Sequence, residues 1–191
     1  MDGEERLRLF GLSQLAAERE LDKVEAALKI DLQRSELEQG EEDYYPQLDQ
    51  ALRNEAAEMS RHYELFYCLE KSIRKLIADT LKAQHGENWW STQVPQTIRD
   101  NASANMQKEV DSGVTLRSEA DIDFTTFGEL GEIVRTNWDS FDATFSSQKA
   151  FTKIMTSLNM LRGPIAHCCP LAEDEILRLR LTVKDWFRLM E

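Results

Sequence analysis

Apolar side chains recur every three or four residues over most of this 191-residue chain, which is the spacing of one face of an α-helix. Only eight glycines and four prolines interrupt the pattern, whereas residues that favour helices are abundant. No segment shows the alternation of apolar and polar residues that indicates a half-buried strand. The sequence therefore predicts an all-α helical bundle, long enough to bury a hydrophobic core without disulfides.

An acidic segment at residues 36–43 (ELEQGEED) divides the chain, because it contains a glycine and almost no apolar side chain. Before it, an additional amphipathic helix is predicted by the spacing of Leu21, Val24, Leu28 and Leu32. We therefore assign residues 1–42 to an acidic N-terminal helix with its linker, and residues 43–191 to the bundle domain. The sequence leaves open whether the N-terminal helix dimerises, binds a partner protein or packs within the chain.

Glycines and prolines predict the ends of the first helices of the bundle. A long helix over residues 46–84 stops at Gly86, and another helix occupies residues 95–112. Between them, residues 87–92 form a loop that carries two adjacent tryptophans. These tryptophans would either stack on nucleic-acid bases or close the end of the bundle.

Three further helices complete the predicted bundle. Asp123 can cap a helix over residues 125–137, and Ser147 can cap the next helix, which Pro164 breaks or bends at its end. The last helix has an acidic first turn, which suits the positive end of the helix dipole. Its predicted apolar face consists of Ile176, Leu179, Val183, Phe187 and Met190.

The net charge of −12 weighs against nucleic-acid partners, because phosphate binding depends on Lys and Arg. The charge is uneven, however. Residues 1–50 carry six basic and fourteen acidic side chains, whereas residues 140–191 carry seven basic and six acidic side chains. A basic surface on the later helices is compatible with this distribution.

No apolar run approaches the ~20 residues needed to cross a bilayer, and the acidic start does not resemble a signal peptide. We expect a cytoplasmic protein without a membrane segment.

Several common catalytic motifs are absent from the sequence, among them a glycine-rich phosphate loop, a GxSxG elbow, HExxH and paired CxxC. His167, Cys168 and Cys169 follow one another, but adjacent residues rarely converge on a tetrahedral zinc ion. We therefore expect no metal and no cofactor, and both cysteines are expected to be small buried or half-buried thiols.

Arg162 and His167 are the residues with the clearest chemical potential, because they lie five positions apart at the end of an apolar helix. The intervening Gly163 and Pro164 would open the backbone, so that both side chains could reach one phosphate. Arginine is a permanent fork donor to phosphate oxygens, and histidine can move a proton near neutral pH. This pair suffices for metal-free RNA cleavage. Alternatively, Arg162 interacts with the helix C-terminus and His167 is a hydrogen-bonded loop residue.

The Arg-x4-His arrangement resembles the signature of the HEPN superfamily of all-helical domains. Further segments are similar to the branch of that superfamily named after the Swt transcript-surveillance endoribonuclease. These segments are residues 67–77 (YCLEKSIRKLI), 86–90 (GENWW), 94–95 (VP) and 123–130 (DFTTFGEL), followed by Trp138 and Phe141. The resemblance extends over about residues 60–191 and leaves the N-terminal third uncovered.

The resemblance implies a helical bundle that forms a homodimer and brings two Arg-His pairs into one cleft, as a metal-independent endoribonuclease. In this family, Arg162 would bind the scissile phosphate of RNA and His167 would be the acid and base. Many members act in toxin-antitoxin or antiviral systems, which implies an antitoxin or regulatory protein as a partner. Active members usually have a polar residue where this chain has Gly163, so a non-catalytic module that binds RNA or a partner protein is the alternative.

Four charged residues near the start of the similar region are candidates for supporting roles. Glu70 and Arg74 lie one helical turn apart, so they pair with each other or one of them orients the cleft. Lys71 and Lys75 form a cationic cluster with Arg74. This cluster would either contact the phosphates of a substrate or form a solvated face.

Overall fold

The computed structural model describes residues 48–190, and all regular structure in this range is helical. The α-helices are α1 (Gln50–His85), α2 (Trp89–Gln93), α3 (Gln96–Asp111), α4 (Phe127–Thr136), α5 (Gln148–Ala166) and α6 (Glu173–Arg188). Two short 3₁₀ helices span Asp121–Phe124 and Trp138–Ser140. The all-α prediction is therefore confirmed. The amphipathic helix predicted within residues 1–42, and the predicted boundary after it, lie outside the described residues.

The second half of α1 is the centre of the bundle. Its apolar residues at three- and four-residue steps are buried, namely Phe66, Leu69, Ile73, Ile77 and Leu81. Helices α4 and α5 both pack on this face of α1, and α6 packs on α5. Over residues 50–65, by contrast, no side chain is buried. None of the described helices is both long and apolar enough to cross a membrane.

An aromatic cluster joins the segment before α5 to α5 and α6. The ring of Phe145 lies 4.9 Å from that of Phe151 and 5.3 Å from that of Trp186, measured between centroids. Phe141 and Trp138 stack on the same ring at 6.3 and 6.4 Å. Because aromatic residues bury large areas, this cluster fixes the C-terminal helices against the core.

The structure corrects the predicted apolar face of α6. Leu179 is fully buried and Val183 is partly buried, as expected. Phe187 and Met190 are exposed, however, and Trp186 and Leu189 are buried in their place. The reason is the aromatic cluster, because Trp186 presents the larger apolar surface to Phe145.

Most predicted helix ends on α1, α3 and α5 are confirmed. Gly86 ends α1 with φ +74°, a conformation that glycine adopts without steric cost. Ser147 caps α5 by accepting a hydrogen bond from the Ala150 N–H. The tryptophan-bearing segment is a short helix rather than a loop, and both rings pack partly buried against the core. This packing corresponds to closure of the bundle end.

The predicted cap of α4 is wrong. Asp123 belongs to the preceding 3₁₀ helix, and Thr126 is the N-cap. The Thr126 side chain accepts from the Glu129 N–H, while the Glu129 carboxylate accepts from the Thr126 N–H at 2.7 Å. This reciprocal arrangement is a capping box, which satisfies two backbone donors and outcompetes a single aspartate.

The expected break at Pro164 is also wrong, because α5 continues through Pro164 to Ala166. A proline inside a helix removes one backbone hydrogen bond and crowds the residue before it. Here the preceding residue is Gly163, which has no Cβ to meet the proline ring. Only two helical residues follow Pro164, so few backbone bonds depend on it.

Truncation of the core on α6 tests this packing. We expect Leu179→Ala to lower the free energy of unfolding by about 2–5 kcal/mol, because Leu179 is fully buried and leaves a cavity. Leu177→Ala on the same helix is the matched control, since Leu177 is 58% exposed. This variant should change the free energy of unfolding by less than about 0.5 kcal/mol. Urea denaturation of both variants measures the difference, and equal stabilities would contradict the assigned face.

Candidate functional site

Arg162 lies near the end of α5 and reaches the middle of α1. Its Nε donates to Glu70 Oε2 at 3.0 Å, across 92 positions of sequence. The buried neighbours Leu158 and Leu161 hold this part of α5 against the core, while the Arg162 side chain is 39% exposed. Within residues 48–190, its two outer nitrogens have no partner. They are therefore available to bind phosphate oxygens.

Glu70 joins Arg162 to Arg74 through its two carboxylate oxygens. Oε1 lies 2.7 Å from Arg74 Nη2, and Oε2 accepts from Arg162. Arg74 also donates to the backbone carbonyls of Ile122 and Thr125, at 3.1 and 2.7 Å. Glu70 and Arg74 thus pair with each other, and Glu70 also contacts Arg162, whereas Arg74 contacts the backbone before α4.

The two candidate lysines lie in different surroundings. Lys71 is 55% exposed and lies 3.7 Å from Asp123, beside the Glu70 network. Lys75 faces Asp79 at 3.9 Å, and both side chains are largely exposed. The structure therefore brings Lys71, but not Lys75, to the surface around Arg162.

Two adjoining cavities meet at Arg162. A cleft of about 710 Å³ opens between α1, α3 and the segment before α4, and a smaller cavity of about 160 Å³ opens between α1 and the end of α5. Residues that line both are Tyr67, Glu70, Lys71, Arg74 and Arg162. Arg162 is thus located where the two spaces join, accessible from either side.

His167 is the C-cap of α5, and its position differs from that of Arg162. Its N–H donates to the carbonyls of Gly163 and Pro164, both at 3.1 Å. The side chain is exposed, its ring has no hydrogen-bond partner within the described part of the chain, and it lines neither cavity around Arg162. Because α5 stays helical through Pro164, five residues separate the two side chains by about 140° around the axis. One chain therefore does not bring Arg162 and His167 to the same cavity.

Gly163, between them, faces open space. A Cβ placed on this residue would have no neighbouring atom within 4 Å beyond its adjacent residues. Among the described residues, no side chain therefore occupies the space beside Gly163.

The cysteines differ from expectation, because Cys168 and Cys169 are exposed rather than buried, as is Cys68. Cys168 adopts φ +55°, where the chain leaves α5. Within residues 48–190, no group of three or more His, Cys, Asp or Glu side chains is arranged to hold a metal ion.

The far wall of the larger cleft contains charged residues that the sequence did not single out. Arg117 is hydrogen-bonded to Glu109, and its guanidinium carbon lies 5.2 Å from the centroid of the Phe124 ring. The hydrogen bond from Arg117 lowers the pKa of the Glu109 carboxyl below its usual value. Lys108 precedes Glu109 on helix α3 and also lines the cleft. No sequence motif links these residues to Arg162, since only the packing of α3 brings them together.

The Glu70 network generates a prediction on stability. Glu70→Gln keeps the shape of the side chain but removes the charge that Arg74 and Arg162 share. We expect the free energy of unfolding to fall by about 1–3 kcal/mol, because hydrogen bonds to charged groups in a largely shielded place are lost. Glu64→Gln on the exposed side of α1 is the control and should be nearly neutral. Equal urea midpoints for the two variants would contradict the role given to Glu70.

The comparison with protein families finds one family model that matches the chain. The Swt1-like HEPN family model matches residues 64–191, which is more than half of the chain. No curated protein and no solved structure matches the chain. The matched region contains the whole Glu70 network, the larger cleft, every residue that lines the smaller cavity except Tyr63, and the Arg-x4-His motif. Because the match extends over all of these elements, the chain belongs to the Swt1-like HEPN family.

Proposed function

We propose that this protein is a metal-independent endoribonuclease that cleaves RNA with Arg162 and His167. The observation that carries the proposal is the state of Arg162. Glu70 fixes one edge of its guanidinium, and the opposite edge has free donors at the junction of two open cavities. An arginine held in this way is preorganised to bind an anion that enters the cleft.

Arg162 would bind the non-bridging oxygens of the scissile phosphate. Negative charge builds on these oxygens when the ribose 2′-hydroxyl attacks phosphorus, so a fixed guanidinium stabilises the transition state. The same charge stabilisation is what a metal ion would otherwise supply. This is the physical basis for cleavage without a metal.

His167 would move the protons. A neutral imidazole accepts the proton of the 2′-hydroxyl as its oxygen bonds to phosphorus, and an imidazolium gives a proton to the 5′-oxygen as its bond to phosphorus breaks. The products are a 2′,3′-cyclic phosphate and a 5′-hydroxyl, so no oxidant or further reactant is required. The exposed ring of His167, unpaired within the described residues, is free to make these contacts.

We further propose that the enzyme is a homodimer. His167 lies outside the cavities of its own Arg162, so a second copy that packs against the end of α5 would complete the site. Two copies then form one cleft with two arginines and two histidines. The family resemblance supports this arrangement, as well as a cytoplasmic role as a toxin or antiviral effector, restrained by an antitoxin or regulatory protein.

The second candidate function is a non-catalytic module that binds RNA or a partner protein. Gly163 favours it, because the residue supplies no hydrogen-bonding group where active relatives usually have one. In that case the Arg162 cleft binds its ligand without cleaving it.

Incubation of the purified full chain with structured and unstructured RNA in EDTA tests the proposal. We expect cleavage by the wild type. His167→Ala should slow it about 10²- to 10⁴-fold, because general acid-base catalysis is lost. Arg162→Ala should slow it by about 10²- to 10³-fold, because the transition-state charge loses its donor.

Arg180→Ala and His85→Ala are the matched controls, since both residues are exposed and lie outside both cavities around Arg162. They should cleave at the wild-type rate. Equal cleavage by all variants would identify a contaminating nuclease and contradict the proposal. Binding of RNA without cleavage under any condition would favour the non-catalytic module.

A further inference from the structure

The larger cleft extends from Arg162 across α1 to α3, well beyond the space that a single phosphate needs. Its volume of about 710 Å³ lies in the range of ligand-binding pockets. Its lining includes Asn105, Lys108 and Glu109 from α3, and Ser112 directly after that helix. The Arg-x4-His motif therefore occupies only one part of a longer groove, and the function of the remainder is not explained by the motif.

The lining of this groove is positive although the chain is strongly acidic. Its acidic side chains are Glu70, Glu109 and Asp123. They are outnumbered by the basic ones, which are Lys71, Arg74, Lys108, Arg117 and Arg162. In a protein of net charge −12, a surface with this excess of cations indicates an anionic ligand.

The cations differ in how far they are neutralised. Arg74 is ion-paired with Glu70 and donates to two backbone carbonyls, so its charge is largely compensated within the protein. Lys108 is exposed and has no ion-pair partner within residues 48–190. Arg117 is held in place by Glu109 and by the Phe124 ring. Within the described residues, the groove thus contains the unpaired outer nitrogens of Arg162, whose Nε is bonded to Glu70, and the unpaired ammonium group of Lys108.

The lining of the groove also includes an exposed aromatic side chain. Tyr67 is 57% exposed, lines both cavities and faces the ring of Tyr63 at 6.2 Å. Core packing does not account for this tyrosine, because the buried face of α1 consists of other residues. Aromatic faces next to cations are the combination on which unpaired bases stack.

We propose that this groove binds a single strand of RNA, with Arg162 and Lys108 on two of its phosphates and Tyr67 under a base. The inference rests on the proposed function and names its substrate class. A single strand fits better than a duplex, because only unpaired bases can reach an aromatic side chain, whereas duplex RNA is read mainly through its backbone. It fits better than an acidic peptide, which would use the cations but leave Tyr67 without a role.

Binding of an RNA that cannot be cleaved tests the groove separately from catalysis. The probe is a fluorescent 12-nucleotide strand with 2′-O-methyl groups throughout, measured by anisotropy in EDTA over a series of salt concentrations. We expect Tyr67→Ala to weaken binding about tenfold and Tyr67→Phe to preserve it, since stacking requires only the ring. Lys108→Ala should reduce the salt slope by about 0.7, which corresponds to one lost phosphate contact.

Phe187→Ala and Lys184→Ala on α6 are the matched controls, because both residues are exposed and lie outside the groove. They should bind as the wild type does. Wild-type binding by the Tyr67→Ala and Lys108→Ala variants would overturn the inference. A duplex bound as tightly as the strand and without dependence on Tyr67 would also overturn it, as would a polyglutamate peptide that binds where the strand does not.

The outcome for the groove is distinguishable from the outcome for catalysis. If the strand binds as expected while no RNA is cleaved, the groove is supported and the endoribonuclease proposal fails. If RNA is cleaved with Arg162 and His167 while the groove variants bind normally, the endoribonuclease proposal is supported and the groove inference fails.

Discussion

The Glu70 carboxylate is the interaction on which the arrangement around Arg162 depends. It connects α1 to α5 through Arg162 and, through Arg74, to the backbone before α4. A largely shielded carboxylate between two guanidinium groups is stable only because both its oxygens are bonded. Its charge is spread over two arginines, so that Arg162 is oriented and retains donors for another anion. Fold stability and the proposed phosphate binding thus involve the same carboxylate.

The acidic character of the protein and its proposed RNA substrate are compatible because charge acts locally. At physiological salt the electrostatic range is about 8 Å, so distant acidic residues contribute little to the cleft. A phosphate that entered the cleft would lie near the cationic side chains in its lining, among them Arg162, Lys71 and Lys108. The net charge of the whole chain instead suppresses non-specific binding to nucleic acid.

Much of the fold could be predicted from the sequence, because helix ends are local. Gly86 and Ser147 end and begin helices through their own backbone or side-chain chemistry. The N-cap of α4 also has a local sequence signal, because Thr126 and Glu129 have the spacing of a capping box, which the prediction of Asp123 as the cap overlooks. The exposed Phe187 was mispredicted because the choice between it and Trp186 depends on aromatic rings from other segments.

The candidate site was predictable only in part. The Arg-x4-His motif and the family resemblance identified Arg162, and the i, i+4 spacing suggested the pairing of Glu70 with Arg74. The contact between Glu70 and Arg162 joins residues 92 positions apart, so periodicity contains no signal for it. The same holds for Lys108, whose place in the groove follows from how α3 packs. The position of His167 outside the cleft follows from a helix that continues through proline.

Mixing two inactive variants tests the central claim most directly, namely that Arg162 of one copy and His167 of a second copy act on the same phosphate. Arg162→Ala and His167→Ala proteins are combined under conditions that exchange subunits, and RNA cleavage in EDTA is measured. The account predicts that cleavage returns, because each mixed dimer contains one site with both an intact arginine and an intact histidine. Mixed dimers that form and remain as inactive as either variant alone would contradict it.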